Sequence, residues 1–434
     1  MFELIFLTSS ITLFFLVLII DLVHYGAMYS FLYKVHHKGW KKNQELYEPK
    51  AAVLLALRGA DPFLKYCIQG LLRQDYPNYT VFFMVDSDSD PAIPVVVDIL
   101  AQETKVRPRC KCEIVIVDEH FDSCALKCNS LAHVIEKLDE SFQVIAILNA
   151  DTRPFPTWLR QLVEPLSDQR FAATSGLRWY VPEHSNWGSL VRMLWNVAAV
   201  NQMAFSQIPW GGSFALRREV FFEGGLLERW KNTLTDDVPT YPVVRAMGAQ
   251  VLVNPSLLMV NREFCHLASF YPWVKRQILL AKLYHPKWWV IVGQAFFLFM
   301  LPATSFVLAI YGLCLKNWTL FYWNIASFLL YVIGVFGAFV IMDGSVRRYL
   351  RKTGENIPRQ TVGGLVKTSV SIILTQFVYA MAICGVFRMK KVTWRGIMYQ
   401  IGPGERVQME KFVPYAEIVK ATKATQENDS MESL

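Results

Sequence analysis

The stretch YTVFFMVDSDSDPA, residues 79–92, joins an apolar run to three acidic residues at alternate positions. A β-strand alternates its faces, so a strand that continued through this stretch would place Asp86, Asp88 and Asp90 side by side, where like charges repel. The pattern therefore predicts either that the strand ends at Val85 or that a ligand neutralises the acids. Three roles stay open at this point: holding a metal ion, binding a nucleotide, or forming an acidic turn.

The sequence around this stretch alternates short apolar runs with segments of helical pattern. Strands that alternate with helices indicate a doubly wound, mostly parallel α/β sheet, whose ligands bind beyond the carboxyl ends of the strands. Arg58, Asp86 and Asp151 each directly follow a predicted strand, so we expect them at one edge of the sheet. The predicted strands are residues 51–57, 79–85, 112–118 and 142–150, and the predicted helices are residues 61–74, 93–103 and 125–138.

A second polar cluster lies downstream. WGGSFALRR (210–218) contains Gly211 and Gly212, which let the backbone approach another group closely, before a strand-like run. Asp236 and Asp237 stand at the head of a predicted helix, where an aspartate can cap the helix. Adjacent carboxylates also raise each other's cost of ionisation and suit a general base, so both roles stay open on spacing alone.

Four apolar blocks flank the mixed middle of the chain. The chain has 434 residues and is 53% hydrophobic, which exceeds the roughly 45–50% of a soluble domain. Each block is long enough for a membrane span of about 20 residues. The first block is predicted to be a transmembrane helix rather than a signal peptide, because it lacks a basic leading segment and a small-residue cleavage site. The blocks are residues 1–33, 288–315, 318–342 and 363–387.

Basic segments predict which side of the membrane each part faces, because Lys and Arg concentrate in cytosolic loops. The segment at 34–42 places the N-terminus outside and the middle of the chain in the cytosol, and the segment at 347–352 agrees with two spans after a cytosolic domain. The basic segment at 388–395 also predicts a cytosolic position. Three full spans after the cytosolic domain would place it on the opposite side. The last apolar block is therefore expected not to cross but to be re-entrant or interfacial, with a full span as the alternative.

The formal net charge of +8 comes mostly from these juxtamembrane segments, which indicates anchoring against anionic lipid. No basic-aromatic module typical of nucleic-acid binding accompanies it, so no nucleic-acid partner is predicted. Of the eight cysteines, the densest group is Cys110, Cys112, Cys124 and Cys128, and its spacing is not that of a zinc site. We expect reduced, structural thiols.

Several motifs occur in a specific order along the chain. They are VDSDSDPA (85–92), LNADTRP (148–154), WGGSFALRR (210–218) and TDD (235–237), followed by an Arg-Gln helix before apolar segments. The set resembles the membrane-bound family 2 glycosyltransferases, most closely the ceramide glucosyltransferase-like branch. The similarity covers about residues 50 to 400 and extends to KVTWRGIMY near the C-terminus.

This resemblance implies a GT-A catalytic domain of the doubly wound type, with flanking transmembrane helices. It implies inverting transfer of a hexose, glucose being favoured, from a UDP-sugar to the hydroxyl of a ceramide-like lipid or glycerolipid in the bilayer. It also implies Mg²⁺ or Mn²⁺ as cofactor, because a diphosphate is a hard anion that prefers such cations. Asp237 then matches the catalytic base, with Asp236 beside it.

Several residues match the donor-binding motifs of this family. Asp86 and Asp88 are expected to bind the nucleotide rather than the metal, with Asp90 capping the next helix. Arg58 and Asp61 are expected to form a wall of the nucleotide pocket. Lys127 matches a basic residue near the diphosphate, and a solvated helix lysine is its alternative. Gly211 and Gly212 belong to the same donor site.

Two positions depart from the family pattern. The metal-binding Asp-x-Asp motif is Asn149-Ala150-Asp151 here, which leaves Asp151 as the expected metal ligand. The Gln-x-x-Arg-Trp motif keeps Gln277 but continues with Leu280-Ala281 in place of Arg-Trp. We expect Arg276 to supply the missing guanidinium, with Tyr284 as a remote aromatic.

Two other functions compete with glycolipid synthesis. A processive polysaccharide synthase needs a membrane channel, for which four apolar blocks offer little material. An inactive membrane scaffold is suggested by the two departures. Donor sugar, acceptor lipid, type of membrane and oligomeric state are open.

The expected segments are 1–33 transmembrane, 34–50 linker, 51–262 GT-A domain, 263–287 interfacial helix, 288–342 two transmembrane helices, 343–362 cytosolic loop, 363–387 hydrophobic segment and 388–434 polar tail.

Overall fold

The computed structural model describes residues 2–37, 46–103, 110–358 and 360–420. Two predicted segments lie partly outside the described residues. These parts are Lys38, Lys41 and Lys42 of the linker and residues 421–434 of the tail.

A seven-stranded sheet forms the centre of the globular domain. Its strands are β1 (Ala51–Leu57), β2 (Tyr79–Val85), β3 (Lys111–Ile116), β4 (Val144–Leu148), β5 (Phe171–Tyr180), β6 (Ser213–Arg217) and β7 (Gln250–Asn261). Their spatial order is β3-β2-β1-β4-β6-β5-β7. Neighbours pair in parallel except β6, which runs antiparallel to both β4 and β5. The start of β6 therefore lies at the same edge as the carboxyl ends of the other strands.

The described part of the chain contains the α-helices named below, a 3₁₀ turn at Glu164–Ser167 and a further helical segment at residues 415–420. The helices of the globular domain are α2 (Leu64–Leu72), α3 (Ala92–Glu103), α4 (Leu126–Lys137), α5 (Trp158–Val163), α6 (Trp187–Ser206), α7 (Arg218–Phe222), α8 (Leu226–Trp230), α9 (Thr240–Ala246) and α10 (Leu267–Tyr284). The long apolar helices are α1 (Phe2–His36), α11 (Trp288–Cys314), α12 (Trp318–Lys352) and α13 (Val362–Val386).

The helices cover both faces of the sheet. Successive side chains of a strand point to opposite faces, and β1 shows this directly. Its Val53 belongs to the core on the α2, α3 and α5 face, while Leu54 belongs to the larger core with α4 and α6. Parallel strands buried on both faces are expected to be continuously apolar. The predicted α/β class, a mostly parallel, doubly wound sheet with apolar helices at its flanks, is confirmed.

Strands β5 and β7 were not predicted from the sequence. Strand β5 contains Gly176, and β7 contains Pro255, both unusual inside strands. The pairing of β5 with β7 shifts register between Ser175 and Leu177, next to this glycine. A bulge at such a place accommodates residues that a regular ladder would exclude.

A second, three-stranded antiparallel sheet follows α13, in the order β10-β9-β8. It consists of β8 (Lys391–Trp394), β9 (Ile397–Ile401) and β10 (Val407–Met409), and we call it the C-terminal sheet. It packs on the globular domain: the Met409 amide donates to the Asp122 carbonyl over 2.7 Å, and the Leu126 amide donates to the Tyr399 hydroxyl over 3.2 Å.

Helices α1, α11, α12 and α13 are each long and apolar enough to cross a membrane. Helix α12 continues to Lys352, so the predicted loop at 343–362 begins as helix. This end of α12 is fixed to the globular domain. Asp343 pairs with Arg347 at 2.5 Å and accepts a hydrogen bond from the Trp179 indole of β5 at 3.3 Å.

Candidate functional site

A single cavity of about 1220 Å³ runs along the carboxyl edge of the sheet and continues between the apolar helices. At the sheet edge it is lined by polar residues from the ends of β1, β2 and β4 and from the loops before β6 and α9. The sequence-predicted site residues that line it are Arg58, Asp61, Asp86, Lys127, Asp151, Gly211, Gly212, Asp236, Asp237, Arg276 and Gln277.

The first polar end of the cavity is formed by the turns after β1 and β2. Arg58 and Asp86 make an ion pair in which both side chains are buried. The other carboxylate oxygen of Asp86, Oδ1, is buried and has no hydrogen-bond partner among the described residues. Burial raises the pKa of Asp86, and the Arg58 guanidinium opposes that rise. Asp86 thus presents an unused acceptor to a ligand that donates an N–H or O–H group.

The three acids of the opening stretch have three different environments. Strand β2 ends at Val85, so the acids do not continue its ladder. Asp88 is exposed and does not line the cavity. Asp90 is buried; it accepts hydrogen bonds from the Ala92 amide at the start of α3, at 2.8 Å, and from the Gly59 amide at 3.0 Å. The expected helix cap at Asp90 is therefore present, and Asp86 alone of the three faces the cavity.

Lys127, at the start of α4, joins three parts of the site. Its ammonium lies 2.9 Å from Asn149 Oδ1, 2.8 Å from the Gly211 carbonyl and 2.7 Å from Asp236 Oδ2. The contacts with Asn149 and Gly211 are hydrogen bonds, and the contact with Asp236 is an ion pair. Lys127 is thus a part-buried connecting residue rather than a solvated one, and its contact with a diphosphate stays a prediction.

Asp236 and Asp237 lie in the loop before α9, and neither caps that helix: its N-cap is Pro239, and no side chain caps it. Asp236 is 1% exposed. Burial, together with the charge of Asp237, raises the pKa of Asp236 to about 6, although the Lys127 ammonium opposes the rise. The two neighbouring carboxylates therefore have distinct environments, one buried beside a cation and one at the cavity wall.

Asp237 is held by three hydrogen bonds. Its Oδ1 accepts from the Thr235 hydroxyl and from the Val238 amide, both at 2.7 Å, and its Oδ2 accepts from the Gly211 amide at 2.9 Å. A carboxylate oxygen has two lone pairs, so Oδ2 keeps one for a further proton. This is the arrangement that a positioned general base requires.

Gly211 is closely packed against both carboxylates. A Cβ atom at this position would lie 3.0 Å from Asp237 Oδ2 and 3.1 Å from Asp236 Oδ1. At Gly212 a Cβ atom would lie 2.2 Å from the Trp210 ring. The two glycines are therefore required by the close approach of the backbone to groups of the protein itself.

Helix α10 contributes Arg276 and Gln277 to the cavity. The Arg276 Nε atom is buried without a hydrogen-bond partner among the described residues. Burial, followed by repulsion from Arg395 and Arg178, lowers the pKa of Arg276 to about 10. Tyr284 does not line the cavity; its hydroxyl accepts from the Leu234 amide at 2.8 Å, which makes it a structural residue.

Three residues of the site were missed by sequence reasoning. Arg178 lies near the end of β5, at 3.3 Å from Asp151, and its guanidinium stacks on Trp210 at 4.8 Å. Trp394 and Arg395 come from the C-terminal sheet. The strand carrying Arg178 was not predicted, and KVTWRGIMY was noted only as part of the resemblance, so no signal placed these side chains at the site.

The residues at the end of β4 fit a divalent cation bound together with a diphosphate. Asp151 Oδ1 is buried and has no partner within the described part of the chain, while Asn149 Oδ1 is occupied by Lys127. The described residues contain no group of three His, Cys, Asp or Glu side chains placed to hold a metal. A magnesium ion typically takes one or two carboxylates and completes its shell with phosphate oxygens and water, which one free carboxylate oxygen permits.

All eight cysteines are free thiols. Cys67, Cys124, Cys128 and Cys265 are buried, whereas Cys314 and Cys384 are exposed.

The chain belongs to glycosyl transferase family 21, whose model matches residues 17–407. This match agrees with the predicted resemblance to the family 2 glycosyltransferases and to their ceramide glucosyltransferase-like branch. The protein is therefore a glycosyltransferase. No curated protein matches the chain.

Among solved structures, the chain is similar to a mannosyltransferase from Pyrobaculum calidifontis in complex with GDP-Man and Mn²⁺, at 15% identity and a TM-score of 0.46, over 87% of this chain and 99% of that one. It is also similar to glucosyl-3-phosphoglycerate synthase from Mycobacterium tuberculosis in complex with Mn²⁺, UDP and phosphoglyceric acid, at 12% identity and a TM-score of 0.35, over 57% of this chain and 81% of that one. The nucleotides and metal ions named here belong to those proteins.

Proposed function

We propose that the protein transfers a hexose, glucose being favoured, from a UDP-sugar to a hydroxyl of a membrane lipid, with inversion at the anomeric carbon. The observation that carries the proposal is the single cavity that joins the strand-end carboxylates to the apolar helices. A nucleotide-sugar fits the polar end, and the chains of a ceramide-like lipid or glycerolipid fit the apolar end.

Asp237 acts as the general base in this proposal. Its Oδ2 takes the proton of the acceptor hydroxyl as the acceptor oxygen forms a bond to the anomeric carbon. The bond between that carbon and the diphosphate breaks at the same time, and UDP leaves with the electron pair. The Gly211, Val238 and Thr235 donors hold the carboxylate in place during the transfer.

Asp236 and Lys127 position the base rather than react. Lys127 connects Asp236, Asn149 and the Gly211 carbonyl, and Gly211 in turn donates to Asp237. Asp236 must be ionised to keep this ion pair. The pair therefore fixes the loop that carries the base.

Asp151 is the residue that would hold Mg²⁺ or Mn²⁺, through its free Oδ1. A bound divalent cation neutralises the charge that develops on the leaving diphosphate. Arg178, at 3.3 Å from the other oxygen, orients the Asp151 carboxylate.

The lipid acceptor is supported by the second half of the cavity. Its walls come from all four long apolar helices and from α6, with side chains such as Val23, Leu298, Phe339 and Ile372. Binding sites of this kind select ligands by apolar surface, with few polar contacts.

Helix α13 is proposed not to cross the membrane, while α1, α11 and α12 do. Near its start, a Cβ atom at Gly364 would lie 3.1 Å from Ser185 Oγ of the globular domain. Near its end, the Val386 carbonyl accepts from Lys282 of α10 at 3.3 Å. Both ends of α13 thus contact the globular domain. A straight helix that spans the membrane would contact that domain at only one of its ends.

A labelling experiment tests this arrangement. Single cysteines at Gly354 and Gly402, in a chain without its native cysteines, should react with a membrane-impermeant thiol reagent from the same, cytosolic side. A cysteine at Lys316 should react only from the opposite side. Opposite labelling of Gly354 and Gly402 would show that α13 crosses.

The proposed activity is tested with membranes that contain the protein and labelled UDP-glucose, UDP-galactose or UDP-N-acetylglucosamine. We expect one labelled glycolipid, from UDP-glucose, identified by mass analysis of the lipid extract, with a β-linkage formed from the α-linked donor. The matched control is membranes with the Asp237→Asn protein.

Three results would contradict the proposal in different ways. A labelled polymer would identify a processive synthase. An α-linked product would exclude inversion. No product, together with no binding of any of the three donors in the presence of Mg²⁺, would identify a scaffold that has kept the fold.

A further inference from the structure

The tip of the C-terminal sheet has a strained backbone. Arg395 and Gly396 connect β8 to β9, and their φ angles are 48° and 80°. Two positive φ angles define a type I′ turn, which favours Asn-Gly or Gly-Gly. An arginine in the left-handed region costs about 1 kcal/mol or more. Such strain is concentrated at functional sites, which suggests a function for the Arg395 side chain.

The turn is fixed at the donor end of the cavity. Arg58 Nε donates to the Arg395 carbonyl at 3.0 Å, and the Arg395 guanidinium lies 3.2 Å from Asp61. The Arg395 side chain is 48% exposed, and it lines the cavity. It therefore keeps donors available for a ligand.

The neighbouring residue, Trp394, covers Arg276 of helix α10. The Arg276 guanidinium lies 4.9 Å from the centre of the Trp394 ring. Arg276 has no carboxylate within ion-pair distance among the described residues, and its Nε is buried without a partner. A buried guanidinium without an anion is costly. Arg276 and Arg395 line the same cavity, and Trp394, which Arg276 contacts, directly precedes Arg395.

The other cations at this end are already engaged. Arg58 pairs with Asp86 and donates to the Val413 carbonyl at 2.6 Å. Lys127 donates to Asn149 Oδ1 and to the Gly211 carbonyl, and its charge is paired with Asp236. Arg276 and Arg395 are thus the pair of neighbouring cations best able to accept an added anion.

We infer that Trp394 and Arg395 complete the binding site for the diphosphate of the nucleotide-sugar, together with Arg276. Arg395 and Arg276 donate to phosphate oxygens, and Trp394 keeps the Arg276 guanidinium in place by stacking. The C-terminal sheet in this way supplies the arginine and tryptophan that α10 lacks, where Leu280 and Ala281 stand instead. This inference rests on the proposed use of a UDP-sugar.

The test compares UDP with uridine, which lacks the diphosphate. Both are titrated by calorimetry into the purified full-length protein in detergent with Mg²⁺. For Arg395→Ala we expect the Kd of UDP to rise by about 10- to 100-fold, the value of a charge-assisted hydrogen bond, and the Kd of uridine to stay unchanged. Trp394→Ala should weaken UDP binding in the same selective way, and Arg395→Lys should restore part of it.

Arg406→Ala is the matched control, because Arg406 is an exposed arginine of the same sheet that does not line the cavity. It should leave both dissociation constants unchanged. If wild-type protein binds UDP and Arg395→Ala binds it equally well, the inference is wrong while the proposed function stands. If Arg395→Ala weakens UDP and uridine equally, the residue only supports the nucleoside pocket. If wild-type protein does not bind UDP, the UDP-sugar proposal and this inference both fail.

Discussion

The two ends of the cavity are built on different physical principles. At the sheet edge, Asp86, Asp151 and Asp236 each pair with a basic side chain, and individual atoms have fixed partners. Between the apolar helices, residues such as Leu298 and Phe339 offer surface without directed bonds. In the proposed function, the polar end therefore specifies the reaction, whereas the apolar end selects the acceptor mainly by its solubility in the bilayer.

The effects of substitutions should therefore divide between the two ends. A change at the polar end removes a defined interaction with the donor or the reacting atoms, so it should act with every acceptor. A change at the apolar end alters only the shape of a hydrophobic space, so it should act on the acceptor alone. Substitutions at either end of the cavity test that division.

The largest effect is expected from Asp237→Asn. The amide cannot take the proton of the acceptor hydroxyl, and general-base catalysis contributes about 10²–10⁴-fold to a rate. We expect kcat for glycolipid formation to fall by about 10³-fold, measured with saturating UDP-glucose. Asparagine keeps an acceptor for Val238 and Thr235 and loses only the Gly211 bond, so UDP binding and expression should persist. A variant that retains a tenth of the activity would remove Asp237 from the role of base.

The next effect is expected from Asp86→Asn. The free Oδ1 loses its charge, and a charge-assisted bond to the nucleotide is worth about 1.5–3 kcal/mol. The KM for the donor should rise by about 10- to 100-fold, with the dependence on Mg²⁺ unchanged. The amide oxygen can still accept from Arg58, which limits the loss of stability.

Asp88→Asn is the matched control for this prediction, because Asp88 is exposed outside the cavity. It should leave the donor KM unchanged. Equal effects of the two substitutions would support the original prediction that both acids bind the nucleotide. A shift in the Mg²⁺ dependence of Asp86→Asn would instead place the metal ion at this end.

Asp236→Asn should lower activity by about tenfold and change its pH dependence. In the wild-type protein, protonation of Asp236 releases Lys127, so activity should fall as the pH drops through about 6. The variant has no carboxyl group to titrate at this position and should lose this inflection. A wild-type inflection that persists in the variant would assign the titration to another group.

The same substitution should stabilise the fold at high pH. The pKa of Asp236 is raised from 3.8 to about 6 on folding, so the folded protein favours its protonated form, and this favourable contribution is lost as the pH rises through 6. The asparagine avoids that loss, which is on the order of 3 kcal/mol at pH 8. Thermal unfolding should show a higher Tm for the variant at pH 8 and no difference at pH 4.

The sheet of the polar end was largely predictable from sequence. The runs at 51–57 and 79–85 are continuous, buried and bounded by polar turns, so β1 and β2 were located with correct ends. Parallel topology then places Arg58, Asp86 and Asp151 at one edge, where they are found. Strand β5 escaped prediction because its alanines, serine and glycine carry little strand signal.

The partners of the site residues were not predictable, because they depend on distant parts of the chain. Arg58 meets the Val413 carbonyl, and Arg276 meets Trp394, across separations that no periodicity encodes. Burial by itself also cannot be predicted from a local pattern. Asp86 and Asp88 are two positions apart, yet only Asp86 of the two is buried, because β2 ends at Val85 and the chain then turns.

The smallest effect is expected from Ala338→Trp, on the cavity side of α12. The added ring occupies space for the lipid chains, and overpacking of this kind costs about 1–3 kcal/mol. The KM for the acceptor should rise by about fivefold, while the donor KM and the slow hydrolysis of UDP-glucose by water stay unchanged. Ala326→Trp is the matched control, since Ala326 is exposed on the same helix and does not line the cavity. If Ala338→Trp instead weakened UDP binding, the two ends of the cavity would be coupled, and the division between a donor end and an acceptor end would not hold.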